Sequence, residues 1–113
     1  MAVLGVGTDL VDVTRIGHSI SKQGARFVQR ILSENEHSDY EYAKRKDIFL
    51  AKRFAIKEAV AKALGTGFSE GVSWRDIELS HDALGKPLAQ LSNGAMSRFK
   101  VLGAVSLHVS LSD

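Results

Sequence analysis

Two carboxylates and a lysine stand out by where they fall. Asp9 lies in "AVLGVGTDLVDV", and Glu58 and Lys62 lie one helical turn apart in "RFAIKEAVAKALGTG". Carboxylates from distant parts of a chain suit a hard divalent cation such as magnesium, which binds oxygen, often through only one or two protein carboxylates. A lysine beside them adds a compact positive charge for an anionic ligand. The same residues admit a plainer arrangement, an aspartate near a strand end and a helical Glu58–Lys62 pair contributing about 0.2–0.5 kcal/mol. Residue patterns by themselves favour the plainer arrangement.

Other constellations are weaker. "KALGTG", Lys62 to Gly67, is glycine-rich and basic, and could help hold a phosphate. It is no P-loop, because its glycine spacing differs and it follows a helix instead of preceding one. His18, His37, His81 and His108 show no metal-ligand spacing and suggest no Ser-His-Asp arrangement. His108 shares a strand face with Ser106 and Ser110. Arg15, Lys22, Arg26 and Arg30 form a basic series, either a solvated face or a dock for an acidic partner.

The elements that must position these groups fit one domain, residues 1–113, with 44% hydrophobic residues and 25% charged ones, enough for one core and too apolar for disorder. A net charge of +2 is too mild to imply nucleic acid. The absence of cysteine removes disulfides, thiolate zinc sites and cysteine nucleophiles, and fits a reducing compartment. "MAVLGVG" lacks a basic flank and is too short for a signal peptide or membrane span, so a soluble, cytoplasmic protein without membrane contact is expected.

"AVLGVGTDLVDV" alternates like a strand, with Asp9 on the face that carries Gly5 and Gly7. Residues 14 to 31 read as helix, divided at Gly24, and "SENE" has the form of a capping box from Ser33 to Glu36. A long helix is expected from about residue 42 to Leu64, with Gly65 ending it. Phe49, Ile56, Val60 and Ala63 would form its core stripe. Glu58 and Lys62 would project oppositely, on a face partly covered through Ala51, Phe54 and Ala55. "WRDIELSH" and "PLAQL" read as strands joined by a turn at "DALGKP", followed by a helix in "SNGAMSRFKVLG" and a strand in "AVSLHVSL". The mixture predicts an α+β fold, a small antiparallel sheet packed on a long central helix.

Taken together, "GVGTDLVDVTRI", "FLAKRFAIKEAVAKALGTG", "LGKP" and "HVSLSD" closely resemble the holo-[acyl-carrier-protein] synthases, the small single-domain phosphopantetheinyl transferases. The likeness covers nearly the whole chain and reverses the preference on Asp9 and Glu58. It implies a magnesium ion held by Asp9 and Glu58 on the pyrophosphate of coenzyme A. It also implies attack by a serine of the acyl carrier protein and release of adenosine 3',5'-bisphosphate, in support of fatty acid biosynthesis. Asp9, Glu58 and Lys62 would be the catalytic set. Glu58 could take the serine proton, directly or through water, with a relay through Asp9 equally open. Lys57 points away and takes no catalytic role.

The same resemblance places Arg53, Lys62, Gly65, Thr66 and His108 against coenzyme A. It places Arg15, Lys22, Arg26 and the apolar Phe54 against the acidic carrier protein. It implies a homotrimer with sites between subunits, and relatives continue past the terminal "HVSLSD" into another short strand. Two other functions fit parts of the pattern: a magnesium-dependent phosphohydrolase using the same carboxylates, and a non-enzymatic domain whose basic helix binds an acidic protein.

Overall fold

The computed structural model describes residues 12–102. The expected strands around Asp9 and His108 lie outside that range, apart from Asp12 and Val13 at the end of the first, which open a helix instead. The Asp12 carboxylate accepts the backbone N–H of Thr14 at 2.9 Å, a side-chain cap that starts α1, Val13–Gln23. Gly24, at φ 59°, turns the chain before α2, Ala25–Ile31, so the basic series is carried on two helices. The capping box forms as expected: Ser33 Oγ accepts from Glu36 N, and the Glu36 carboxylate accepts from Ser33 N. It starts α3, Glu34–Tyr42.

The long helix α4, Lys46–Ala63, begins later than its apolar pattern suggests. Residues 43–45 form the non-helical link from α3, which Lys46 Nζ braces by donating to the carbonyls of Glu41 and Ala43 at 3.1 Å. "WRD" is a short 3₁₀ helix, Trp74–Asp76, and not strand. Asp76 accounts for the difference, since its carboxylate accepts from Ser73 N and from the side chain of Asn93 and holds a tight turn. The strands β1, Ile77–His81, and β2, Pro87–Leu91, pair antiparallel from Ile77 opposite Leu91 to His81 opposite Pro87. In the turn between them, Asp82 Oδ1 accepts from Leu84 N and Lys86 N, with Gly85 at φ 85°. Helix α5, Asn93–Val101, follows.

Two apolar clusters share α4 as a common wall. Leu50 and Ala51 pack with Ile16 of α1, with Phe27, Val28, Ile31 and Leu32 in and after α2, and with Tyr40 of α3. Ile56, Val60, Ala61 and Leu64 pack with Val72, with Ile77, Leu79 and Leu91 of the sheet, and with Ala95 of α5. Among the described residues the fold is therefore α+β, mostly helical with a two-stranded antiparallel sheet against α4. No described helix is long and apolar enough to cross a membrane.

Candidate active site

The buried stripe of α4 differs from the expected one. It runs through Leu50, Arg53, Ile56, Lys57, Val60, Ala61 and Leu64, so that Ile56 and Val60 lie on it as expected, while Phe49 and Ala63 are only half-buried. The spacing of three and four residues is that of one helix face, but two of its members are cations. They sit between the two apolar clusters and share one buried anion, Glu36 of α3, which is 1% exposed where Lys57 is 0% exposed. Arg53 donates to Glu36 Oε2 at 3.0 Å and also to the carbonyl of Leu79. Lys57 Nζ donates to Glu36 Oε1, to Ile31 O at 2.6 Å and to Trp74 O at 3.2 Å. Leu79 N completes the set by donating to Glu36 Oε2 at 3.1 Å.

The cluster ties α2, α3, α4, the 3₁₀ helix and β1 together through charge-assisted bonds. Burial holds the Lys57 ammonium below the usual lysine range, against the opposing pull of Glu36. Arg53, which the resemblance places against coenzyme A, has its guanidinium turned inward and engaged by Glu36 and the carbonyl of Leu79. Hydrophobic periodicity missed the cluster because it reads cations as surface. The available signal was Arg53 and Lys57 at i, i+4 on the stripe of Leu50, Val60 and Leu64, an arrangement that demands a buried acid.

The other side of α4 carries Glu58, half-buried, and Lys62, exposed, one turn apart. Ala51 is buried, and Phe54 and Ala55 are half-buried, so this side is partly covered as expected. Glu58 supplies hard carboxylate oxygen and fits a magnesium ion in donor type. No group of three or more His, Cys, Asp or Glu side chains among the described residues could hold a metal. Asp9 and His108 both lie outside the described residues.

At the end of α4 the chain turns through Gly65 and Gly67, at φ 82° and 58°. Gly65 N donates to Lys62 O and Gly67 N to Ala61 O, so the loop folds back on the last helical turn. Thr66 is half-buried, and its hydroxyl donates to Gly67 O at 2.9 Å. Phe68 closes the loop by stacking on Trp74 with ring centroids 3.7 Å apart. Trp74 also meets Phe54 at 4.6 Å, and Phe54 meets Phe27 at 6.5 Å. Much of the Phe54 ring is thus engaged inside the protein. Arg15 and Lys22 on α1 and Arg26 and Arg30 on α2 are all exposed.

The structure therefore brings Glu58, Lys62, Gly65 and Thr66 to one end and one side of α4, and keeps Arg53 on the other side. A profile described as the 4'-phosphopantetheinyl transferase superfamily matches residues 5–108. The chain belongs to that family. A holo-[acyl-carrier-protein] synthase of Photorhabdus laumondii is 48% identical over all 113 residues of this chain and 90% of its own length. The crystal structure of the synthase from Neisseria meningitidis superposes with a TM-score of 0.92 at 40% identity, over 99% of this chain and 90% of that one. The Helicobacter pylori synthase, solved in complex with coenzyme A, gives a TM-score of 0.81 at 30% identity, over 96% of this chain and 89% of that one. The fold of this phosphopantetheinyl transferase is accordingly the one expected from its motifs.

Proposed function

We propose that this chain, as one domain over residues 1–113, transfers the phosphopantetheine arm of coenzyme A to a serine of apo acyl carrier protein. Adenosine 3',5'-bisphosphate leaves, and the holo carrier protein supports fatty acid biosynthesis. The observation that carries this reading is α4 itself, in a family of transferases. Its core face is locked by Glu36, and its opposite side presents Glu58 and Lys62 beside a glycine loop.

The serine oxygen attacks the phosphorus that bears the pantetheine arm, and the bond from that phosphorus to the bridging oxygen of the bisphosphate breaks. Such a displacement asks the protein for alignment and charge neutralisation more than covalent help. Lys62 places an ammonium against the pyrophosphate oxygens. Asp9 and Glu58 hold the magnesium ion, which when bound supplies charge neutralisation and a template for the pyrophosphate. The serine proton passes to Glu58, directly or through water, or is relayed by Asp9. Gly65, Thr66 and His108 complete the coenzyme A contacts.

Arg15, Lys22 and Arg26 dock the acidic carrier protein, with the accessible part of Phe54 as an apolar contact. The assembly is a cytoplasmic homotrimer with sites shared between neighbouring subunits, which lets a small chain enclose a long substrate. Intact-mass measurement of apo acyl carrier protein, incubated with this chain, magnesium and coenzyme A, tests the reading. A phosphopantetheine-sized gain is expected, reduced by about 100-fold or more in rate in Asp9→Ala and Glu58→Ala and abolished by chelation. No gain from a folded chain that also fails to bind coenzyme A would overturn it.

A further inference from the structure

The glycine loop sits in an electrostatically awkward place for a phosphate. Loops that cradle phosphates usually lead into a helix, whose N-terminal N–H groups and positive dipole end attract the anion. This loop follows α4, and the C-terminal end of a helix presents carbonyls and a partial negative charge. An anion bound at Gly65 and Thr66 must therefore meet additional positive charge, and Lys62 is the only cation the sequence pattern offers there.

Arg98 supplies what is missing. It comes from α5, and its Nε donates to the carbonyl of Leu64, the residue that caps α4, at 2.8 Å. That bond uses one of the five N–H donors of the guanidinium. The remaining four have no protein hydrogen-bond partner among the described residues. One terminal nitrogen lies 3.2 Å from where a Cβ at residue 65 would stand, so the fork is laid against the bare backbone of Gly65. The loop's own carbonyls are also covered: Ser69 Oγ donates to Thr66 O at 2.6 Å, and Thr66 Oγ1 donates to Gly67 O. The carbonyls of Leu64, Thr66 and Gly67, which would otherwise repel a phosphate, thus each carry a donor.

We infer that Arg98 is a phosphate-binding residue of the coenzyme A site, neutralising the end of α4 and offering its free donors to a phosphate beside Gly65. This rests on the coenzyme A reading of Gly65 and Thr66. Arginine suits the role because a planar fork can bond a helix carbonyl and a phosphate oxygen at the same time, which an ammonium does less well. The candidate groups are the pyrophosphate and the ribose 3'-phosphate.

The test compares the full chain with Arg98→Met and Arg98→Lys. Dissociation constants are measured for coenzyme A and for 3'-dephospho-coenzyme A, and KM and kcat for coenzyme A in the transfer assay. Arg98→Met is expected to weaken coenzyme A binding and raise its KM about tenfold, with a smaller change in kcat, and Arg98→Lys to recover part of the loss. An equal loss with both ligands assigns the contact to the pyrophosphate, and a loss confined to coenzyme A assigns it to the 3'-phosphate. Unchanged affinity in a Met variant whose melting temperature has fallen would overturn the inference and leave Arg98 a helix cap. A parent chain that binds neither ligand would overturn the coenzyme A reading together with it.

Discussion

Glu36→Gln is the sharpest perturbation of the frame that holds the site. Glutamine keeps the volume and can still accept from Ser33 N, so the capping box of α3 survives. What is lost is one negative charge between two buried cations, Arg53 at 6% and Lys57 at 0% exposure. Removing one partner of a buried ion pair strands the other, and the usual cost is about 3–5 kcal/mol. At about 0.05–0.15 kcal/mol per residue, a chain of 113 residues has about 6–17 kcal/mol in all, so the variant should lose a large share of it. For a domain of this size the melting temperature should fall by about 10–25 °C. Circular dichroism melts and urea titrations at neutral pH measure it. Asp39→Asn, exposed on the same helix, serves as control and should stay within about 0.5 kcal/mol. A Glu36→Gln melt within about 3 °C of the parent would refute the argument, since two desolvated cations cannot lose their anion so cheaply.

Gly94→Ala should destabilise the chain by at least about 2 kcal/mol in the same titration, because its Cβ would stand 1.9 Å from the Gly71 carbonyl oxygen. A neutral outcome would mean that the loop at Gly71 moves freely. Changing Arg15, Lys22 and Arg26 together to Glu should lower kcat/KM for the carrier protein by about 10-fold or more, and flatten its dependence on ionic strength; an unchanged salt dependence would place the docking surface elsewhere. Because burial depresses the folded-state affinity of Lys57 for its proton, the unfolded chain holds that proton more tightly. The contribution of Lys57 to stability should therefore rise with pH towards about 10.5 and be lost as pH falls through the lowered folded value. The stability difference between the parent and Lys57→Met, measured from about pH 8 to about pH 10.5, should track that rise, and a flat difference would refute it.

Much of the local architecture was legible because it rests on short-range chemistry. The division at Gly24, the capping box at Ser33 and Glu36, the turn at Asp82 to Pro87 and the end of α4 near Gly65 each depend on a few adjacent residues. Glu58 and Lys62 were legible as a pair for the same reason, being one turn apart. The rest depends on partners distant in sequence. Nothing near Arg53 or Lys57 names Glu36 as their anion, and nothing near Leu64 announces the donor that arrives from α5. Asp76 likewise bends "WRD" out of the strand because Asn93 and Ser73 meet its carboxylate.

The charges in the middle of α4 then have two separate explanations, and the first makes the second possible. An apolar stripe of Leu50, Val60, Ala61 and Leu64 alone fixes a helix's rotation loosely, because neighbouring apolar residues can exchange places against a core at modest cost. Arg53 and Lys57 cannot be exchanged in that way. A rotation by one residue would take Lys57 from Ile31 O, Trp74 O and Glu36, and would turn Glu58 towards a buried carboxylate already in place. Each lost charged bond, and each like-charge approach in a desolvated site, costs several kcal/mol. The phase of α4 is thereby fixed by its buried cations. Glu58, Lys62 and the Leu64 carbonyl are directed by that phase, so the buried charges hold the aim of the exposed ones.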